Sequence, residues 1–421
     1  MKKKSLAFLL ITVLIMSMFL AACGTSENTD DAGGGEGAGD KQKTISVWAM
    51  GEEGKKLSEL SAKFEEENPN IKVNVQAIPW DTAHDKLLTA VASGKGPDVL
   101  QLGSTWVPEF ADAGALLDLT PHLEKYPEFA PENYFEGARQ SMKFEDQLIG
   151  VPWYVETRVL YYRTDLLEEV GYSEAPKTWD ELKDAAQKLA ARGEGQFGLD
   201  IDMNDQITPF IFAWQNGFDA DIEDPRLNLD SPEFTEAIEY YTSFFKEGYS
   251  STAKGMDIVQ AFKDGVKPMF ISGPWMINIV KDQAPDLDGK WSVAVLPAKE
   301  TNTSAIGGAN FSVFHTSKNV DEALKYISYV TDVETQLNWL DISNTLPSRL
   351  EAWEDSKLAD NEMLATFGEQ LKSTKGSPQI TQWEKVAQEL IASLERIIVG
   401  GADLNGELDK FKAEVEKIME D

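Results

Sequence analysis

The sequence has almost none of the residues that form covalent cross-links or zinc sites. Of 421 residues, one is a cysteine, Cys23, and three are histidines. A single cysteine excludes a disulfide within the chain, so the fold must be stabilised by buried apolar side chains, and 42% of the residues are hydrophobic. The histidines His84, His122 and His315 lie far apart, so a zinc site would need ligands from distant segments. We expect neither a metal nor a cofactor.

Catalytic motifs are also missing. The chain contains no Gly-x-Ser-x-Gly, no His-Glu-x-x-His and no phosphate-binding glycine loop. Asp200, Asp202 and Asn204 resemble the start of a calcium loop, but Asp205 stands where that loop needs glycine and Ile211 where it needs glutamate. The sequence therefore predicts a protein that is not an enzyme. A carboxylate pair for glycoside hydrolysis stays open, because with so many acids some pair will have a suitable separation.

Positive charge is scarce. The chain has 39 lysines and arginines against 71 acidic residues, and its formal net charge at pH 7 is −32. A strongly anionic surface repels phosphate backbones and anionic lipid headgroups. We therefore expect no nucleic-acid partner, and any attachment to a membrane must use something other than surface charge.

The N terminus has the pattern of an export signal. Lysines at positions 2–4 precede an apolar run from residue 6 to residue 20, and Leu-Ala-Ala-Cys-Gly follows directly. These are marks of a secretory signal, and the run is shorter than the roughly 20 apolar residues that span a bilayer. The site resembles a bacterial lipobox, which predicts a signal peptide over residues 1–22 and a lipid such as palmitate on Cys23. A cut of Ala-x-Ala type beside an unmodified cysteine is the alternative.

Residues 23–43 are almost free of apolar side chains and contain a glycine cluster, so they cannot bury enough surface to offset chain entropy. We predict a flexible tether with a root-mean-square reach of about 25 Å. With the lipid, it would hold the protein on the extracellular face of the cell membrane. Such retention suits a bacterium that lacks an outer membrane.

Ordered structure is predicted from Thr44 onward. Alternating apolar residues, a helical apolar pattern and a second alternating run predict a parallel strand, helix, strand unit over residues 44–78. A helix near residues 83–92 and a strand over residues 98–102 follow. This is the pattern of a doubly wound α/β unit.

After residue 155 helical patterns predominate. Thr178 to Glu181 fits a capping box, and Ser231-Pro232 has the cap and first-turn proline of another helix start. We predict strands over residues 268–272 and 291–296, and helices over residues 321–340 and 382–398. Since single cores stop growing near about 250 to 300 residues, the length predicts two lobes.

Several aromatic residues follow glycine or proline at predicted strand ends: Trp80, Trp106, Trp153 with Tyr154, and Trp275. Flat aromatic rings on such loops suit stacking against a sugar ring. For each of them, packing in the core is the alternative. Four other tryptophans lie within strand or helix patterns, so we predict that they pack in the core. They are Trp48, Trp179, Trp291 and Trp339.

The chain resembles the bacterial extracellular solute-binding proteins of ABC importers, in the sugar-binding branch that includes maltose-binding protein. The resemblance runs from Thr44 to the C terminus. It is carried by ISVWAM, KFEEENPNIKV, GKGPDVLQLGSTWVPEFADAGALLDLT, LIGVPWYVETRVLYYRTDLL, PKTWDELKDAA, AFKDGVKPMFISGPW, IGGANFSVF and LPSR.

This resemblance implies an α/β, two-lobed, type II periplasmic-binding-protein-like fold with hinge strands and a ligand cleft between the lobes. The first lobe would comprise residues 44–155 and roughly 306–360, and the second residues 156–305 and roughly 361–421. The implied function is binding of an oligosaccharide and its delivery to the permease subunits of an ABC importer by lobe closure. We expect a monomer.

The resemblance also carries over candidate ligand contacts. Trp275 matches the stacking tryptophan of the family's Gly-Pro-Trp motif, and Glu156 matches the glutamate that follows the hinge proline. Polar hydroxyl-binding residues are implied after the Gly-Pro-Asp strand, but that loop lacks the acid of maltose binders, so maltose is not the predicted ligand. The full set is Ser104, Thr105, Trp106, Trp153, Tyr154, Glu156, Asp205, Gln206, Trp214, Trp275, Asn310 and Trp383.

Two other functions stay open. A secreted carbohydrate-cleaving enzyme would also be acidic and rich in loop aromatics. A binding protein for a non-sugar solute such as a polyamine would use carboxylates beside aromatic rings, and Glu156 and Asp205 could supply those carboxylates.

Overall fold

The computed structural model describes residues 42–253 and 255–420. The predicted signal peptide, Cys23 and most of the predicted tether lie outside these residues. Gln42 and Lys43 were assigned to the tether, but the Gln42 amide donates to the Pro69 carbonyl at 3.1 Å and Lys43 begins the first strand. The first strand thus begins one residue before Thr44, the predicted start of ordered structure. Across the described part of the chain, no helix combines the length and apolar character needed to cross a membrane.

Strands and helices alternate from Lys43 to Asp112, and helices outnumber strands after Arg163. Among the described residues the strands are β1 (Lys43–Met50), β2 (Ile71–Ile78), β3 (Val99–Gly103), β4 (Lys143–Phe144), β5 (Gln147–Leu148), β6 (Val151–Thr157), β7 (Val159–Arg163), β8 (Met269–Ser272), β9 (Trp291–Ala294), β10 (Ser304–Val313), β11 (Leu346–Pro347) and β12 (Thr374–Lys375). The helices are α1 (Gly51–Glu67), α2 (Trp80–Ser93), α3 (Val107–Asp112), α4 (Glu136–Gln140), α5 (Thr164–Glu169), α6 (Trp179–Ala190), α7 (Thr208–Gln215), α8 (Pro232–Lys246), α9 (Ile258–Lys263), α10 (Trp275–Gln283), α11 (Val320–Val330), α12 (Val333–Ser343), α13 (Ser356–Ala359), α14 (Glu362–Leu371), α15 (Trp383–Ile398) and α16 (Leu404–Glu420). Short 3-10 turns occur at Thr120–His122, Pro127–Phe129, Pro131–Asn133, Pro285–Leu287 and Leu350–Glu354.

Most strands belong to one sheet, which we call the first sheet. Its strand order is β11-β6-β10-β3-β1-β2, and β12 pairs with β10 outside that path. Strand β1 runs parallel to β2 and β3, so the predicted parallel strand, helix, strand unit is confirmed. Strand β10 runs antiparallel to both β3 and β6. As a result, β3 and β6 end at the same edge of the sheet.

The second sheet has the order β8-β7-β9, with antiparallel pairing on both sides of β7. Arg158 alone separates β6 of the first sheet from β7 of the second. The Ser304 hydroxyl donates to the Arg158 carbonyl at 2.8 Å, and the Arg158 N–H donates back to the same hydroxyl at 3.3 Å. The crossing between the sheets is therefore tied to the start of β10.

Helix caps explain where several helices start. The Thr178 hydroxyl accepts from the Glu181 N–H at 3.2 Å, and the Ser231 hydroxyl accepts from the Phe234 N–H at 3.4 Å, as predicted. The Glu181 carboxylate reaches back one residue further than expected, to the Lys177 N–H. The predicted helix over residues 321–340 is two helices, α11 and α12.

The break between α11 and α12 has a local cause. The Asp332 carboxylate accepts from the N–H groups of Glu334 and Thr335 at 3.0 and 3.4 Å. An aspartate in this role satisfies the free amides of a new first turn, so a second helix begins there. The apolar periodicity continues across the break, which is why the sequence pattern did not reveal it.

The four tryptophans that are predicted to pack in the core are mostly buried there. Trp179 and Trp291 are 5% and 6% exposed, and Trp339 is 1% exposed and stacks on Trp153 at 4.9 Å between ring centroids. Trp48 differs, because it is only partly buried and the Lys86 ammonium lies 4.3 Å from its ring centroid. Its alternating strand position turns one edge of the ring towards solvent.

Gly308 allows β10 to approach β6 closely, and this leads to a stability prediction. Its φ is +136°, and a Cβ there would lie 2.2 Å from the Tyr154 carbonyl oxygen. We expect Gly308→Ala to lower the free energy of unfolding by about 2 to 5 kcal/mol, since backbone strain and overpacking add. Urea denaturation followed by circular dichroism measures this.

The matched control is Gly94→Ala at the C-terminal end of α2. Gly94 also has a positive φ, +64°, but a Cβ there would have open space around it. We expect a loss of only about 1 to 2 kcal/mol, the cost of the left-handed conformation alone. Equal losses in the two variants would contradict the close-approach argument for Gly308.

Candidate functional site

Two neighbouring cavities open beside the crossing between the sheets. We call the one of about 170 Å³ the small chamber and the one of about 670 Å³ the large chamber. Arg158 and Asp205 line both, so the chambers are parts of one cleft. A concave site of this size with a few polar groups is typical of small-molecule binding.

The small chamber gathers residues from distant parts of the chain. Thr105 follows β3, Glu156 lies in β6, Asp205 and Gln206 precede α7, and Trp383 begins α15. All five were predicted as ligand contacts from the resemblance. The fold brings the first two together because β3 and β6 end at the same sheet edge, where α/β proteins commonly hold their ligands.

The large chamber contains the predicted stacking tryptophan. Trp275 is the first residue of α10, and it is 36% exposed. The Arg158 guanidinium lies over the indole, with 4.6 Å between its central carbon and the ring centroid. The nearly buried ion pair of Lys267 and Asp200 lines the same chamber. The large chamber therefore combines an aromatic face with charged groups.

Arg158 lies at the centre of the cleft. Its Nη1 is 3.5 Å from Glu156 Oε1, and its Nε is 3.7 Å from Asp205 Oδ2. Its side chain is 16% exposed. The carboxylates of two predicted site residues thus face one cation, which the sequence analysis did not include. A usable sequence signal was the pair of charged residues Glu156 and Arg158 within a largely apolar stretch of β6 and β7.

Three predicted residues line a third, minute cavity, which shares Ile306 and Gly307 with the small chamber. Ser104, Tyr154 and Asn310 line a space of about 10 Å³, which has room for roughly one water molecule and not for a sugar ring. Asn310 is 2% exposed and its amide donates to the Ser141 carbonyl at 2.5 Å. We therefore correct the expectation for Tyr154 and Asn310, which support the cleft from behind.

Two predicted aromatic contacts belong to the core. Trp153 is completely buried between Trp339 and Phe311, with ring centroids 4.9 and 4.5 Å away. Trp214 is 3% exposed in α7, where it packs near Phe210. Neither residue lines a chamber. The packing alternative holds for Trp153, and the expectation that Trp214 contacts the ligand is corrected, because their strand and helix positions point both rings inward.

Trp106 lies in an aromatic cluster at the start of α3. Its ring is 5.4 Å from that of Trp80 and 5.2 Å from that of His84, both edge-on. His84 Nε2 is 2.7 Å from the Glu109 carboxylate. Trp80 is 37% exposed, so it offers more ring surface than Trp106, which is half-buried.

Glu53 is an acidic residue of this region that the sequence analysis missed. It lies in the first turn of α1, directly after β1. Burial raises the pKa of its carboxyl, and the negative charge of Glu156 acts in the same direction. Burial, reinforced by the charges of Glu53 and Glu156, also raises the pKa of the Tyr154 phenol well above its usual range. A usable signal for Glu53 was its place after β1, a parallel strand that ends at the ligand-binding edge of the sheet.

The cleft is suited to binding a polar ligand. It offers carboxylate acceptors, guanidinium and indole donors, and one partly exposed aromatic face. Within residues 42–253 and 255–420, no group of three or more histidine, cysteine, aspartate or glutamate side chains is arranged to hold a metal ion.

Comparison with known proteins gives close similarities. A profile of the family described as bacterial extracellular solute-binding protein matches residues 48–337. The structure of the sugar-binding protein MalE from Xanthomonas citri is similar with a TM-score of 0.84 and 33% identity, covering 89% of this chain and 97% of that one. The galactooligosaccharide-binding protein of Bacillus subtilis is 24% identical, over 97% of this chain and 96% of its own. A maltooligosaccharide ABC transporter solute-binding lipoprotein of Streptococcus pneumoniae is also 24% identical, over 89% and 88%.

The raised pKa of Glu53 predicts a pH-dependent stability. An acid whose pKa is raised by folding destabilises the protein above that pKa, and the penalty vanishes below the unfolded value of 4.5. We expect Glu53→Gln to raise the melting temperature at pH 7 and to have a smaller effect at pH 4, measured by differential scanning calorimetry. The control is Glu52→Gln, an exposed neighbour that should change little at either pH. An equal rise at both pH values would contradict the assignment.

Proposed function

The chain belongs to the bacterial extracellular solute-binding proteins, and on that premise we propose that it binds an oligosaccharide and delivers it to an ABC importer. The observation that carries this proposal is Trp275 at the mouth of a cleft lined by carboxylates from both sides of the sheet crossing. A sugar ring presents C–H groups that stack on an indole and hydroxyls that pair with Glu156 and Asp205. The sugar ligands named for its relatives support the same assignment.

The proposed ligand contacts are those that line the chambers. Trp275 supplies the stacking face, and the polar contacts come from residues that meet only in the folded chain. Buried polar groups left without a partner cost about 1 to 3 kcal/mol each, so such a cleft discriminates between sugars by their hydroxyl pattern. These contacts are Thr105, Glu156, Asp205, Gln206, Trp275 and Trp383, whereas Ser104 and Trp106 line neither chamber and stay predictions.

We infer that the two lobes comprise residues 44–155 with roughly 306–360, and residues 156–305 with roughly 361–421. The change of sheet at Arg158 supports a hinge there. Strand β12 pairs with Ser304 and Ala305, which fall in the second lobe with it, and the rest of β10 falls in the first lobe, so β10 crosses the hinge. Closure about this hinge would bury the sugar and form the surface that the permease subunits recognise. The protein would act as a monomer and would not cleave its ligand.

A thermal-shift screen with neutral di- to pentasaccharides tests the function. A saccharide at 100 times its dissociation constant adds about 2.7 kcal/mol of stability, so binders raise the melting temperature by several degrees. Trp275→Ala should weaken the best binder about 30-fold or more, as measured by calorimetry, because the stacking face is lost. Trp275→Phe should retain part of the affinity.

The melting temperature of Trp275→Ala without ligand is the control and should stay close to that of the wild type. If no saccharide shifts the melting temperature, oligosaccharide binding is wrong. If saccharides are cleaved instead, new reducing ends will appear on incubation, and the protein is then an enzyme.

We propose in addition that a lipid on Cys23 anchors the protein to the extracellular face of the cell membrane, in a bacterium without an outer membrane. The likeness to the Streptococcus pneumoniae lipoprotein supports this. Cys23→Ala should move the protein from the membrane fraction to the medium and abolish palmitate labelling. Its saccharide affinity should be unchanged, since Cys23 is not among the residues that line the chambers. Continued membrane association of the variant would argue for another anchor.

A further inference from the structure

Arg158 lies where the two sheets meet and, like Asp205, borders both chambers. It is the single residue between β6 and β7, and it lines both chambers. Its backbone is tied to Ser304 by two hydrogen bonds. The side chain is therefore delivered into the middle of the cleft by a fixed part of the chain.

The guanidinium of Arg158 is poorly satisfied. Its one hydrogen bond to a side chain of the described protein, to Glu156, is 3.5 Å long, and Asp205 is 3.7 Å away. Charge-assisted hydrogen bonds are normally about 2.7 to 2.9 Å long, and arginine has five N–H donors to place. A mostly buried guanidinium with such loose contacts has donors available for another acceptor.

Arg163, five residues later, shows what a satisfied arginine looks like in the same sheet region. It pairs with the Asp165 carboxylate at 2.7 and 2.8 Å and donates to the carbonyls of Phe262 and Lys263 at 2.9 and 3.1 Å. The N–H groups of Arg163 are therefore used in hydrogen bonds within the fold. By contrast, the N–H groups of Arg158 that lack a close acceptor are available to a ligand in the cleft.

The small chamber places the donors of Arg158 beside two acceptors. Glu156 and Asp205 line it together with Arg158, and Trp383, which is 2% exposed, forms part of its wall. Donors from Arg158 therefore accompany acceptors from Glu156 and Asp205 around one space. A group that fills this space must accept and donate at once.

We propose that Arg158 makes the cleft selective for uncharged saccharides, a step that rests on the proposed sugar-binding function. A sugar hydroxyl accepts from Arg158 and donates to Glu156 or Asp205, so it bridges the loose ion pairs. A ligand ammonium has no acceptor for Arg158, and a ligand carboxylate has no donor for the two acids. Arg158 already lies where a polyamine would place its cation, between two carboxylates and over Trp275.

Isothermal titration calorimetry with three matched ligands tests this selectivity. The probes are the best neutral oligosaccharide from the thermal-shift screen, its analogue with one uronic acid unit and its analogue with one amino sugar unit. The wild type should bind the neutral ligand most tightly. Arg158→Gln should bind it about 10- to 100-fold more weakly, because charge-assisted donors are lost. The same variant should lose its preference over the amino analogue, since the repelling cation is gone.

Two further variants separate selectivity from general damage. Arg158→Lys keeps the charge, so it should keep the discrimination against the amino analogue while losing part of the affinity. Arg226→Gln removes an arginine that pairs with Glu416 and Asp230 away from the cleft, and it should bind all three ligands like the wild type.

The possible results distinguish this inference from the function beneath it. If the wild type binds none of the three ligands, the proposed sugar-binding function is wrong. Tighter binding of the uronic or amino analogue by the wild type, or unchanged affinity and preference in Arg158→Gln, would overturn the role of Arg158 and leave sugar binding intact. If Arg158→Gln does not fold, the wild-type comparison and Arg158→Lys decide the question.

Discussion

The single-residue crossing between the two sheets is the constraint on which the rest of the cleft depends. Strand β6 is paired within the first sheet up to Thr157, and β7 is paired within the second from Val159. Only one residue joins these two paired strands, so Arg158 and its neighbour Glu156 must lie where the sheets meet. Because β10 is hydrogen-bonded to the crossing through Ser304, the two sheets share a common support behind the ligand site.

The sequence predicted the parts of the fold whose evidence is local. Alternating and helical apolar patterns located β1, α1 and β2, and the caps at Thr178 and Ser231 are formed as expected. The comparisons confirm the fold class and the family. Local evidence failed where one side chain overrides the pattern, as Asp332 does when it starts a new helix inside a continuous apolar run.

Site residues were harder to predict, because a tryptophan beside a glycine or proline looks the same whether its ring faces the core or the cleft. Trp153 and Trp275 both follow such residues, yet the first lies in a sheet that packs against Trp339 and the second begins a helix at an open cavity. The orientation depends on which element packs over that strand. Glu53 was missed because Glu156, whose charge acts on it, is distant in sequence, and Arg158 was missed because Asp205 and Trp275 are distant from it.

The charge of the whole chain and the chemistry of its cleft give different information. A net charge of −32 describes a solvated surface, and it is compatible with a cationic, neutral or even anionic ligand at short range. Within the cleft, desolvation makes every unpaired donor and acceptor costly, so the balance of such groups matters more than their summed charge. Arg158 changes that balance from an acidic pair suited to a polyamine into a mixed set suited to hydroxyl groups. One buried cation therefore says more about the ligand than the 71 acidic residues of the chain do.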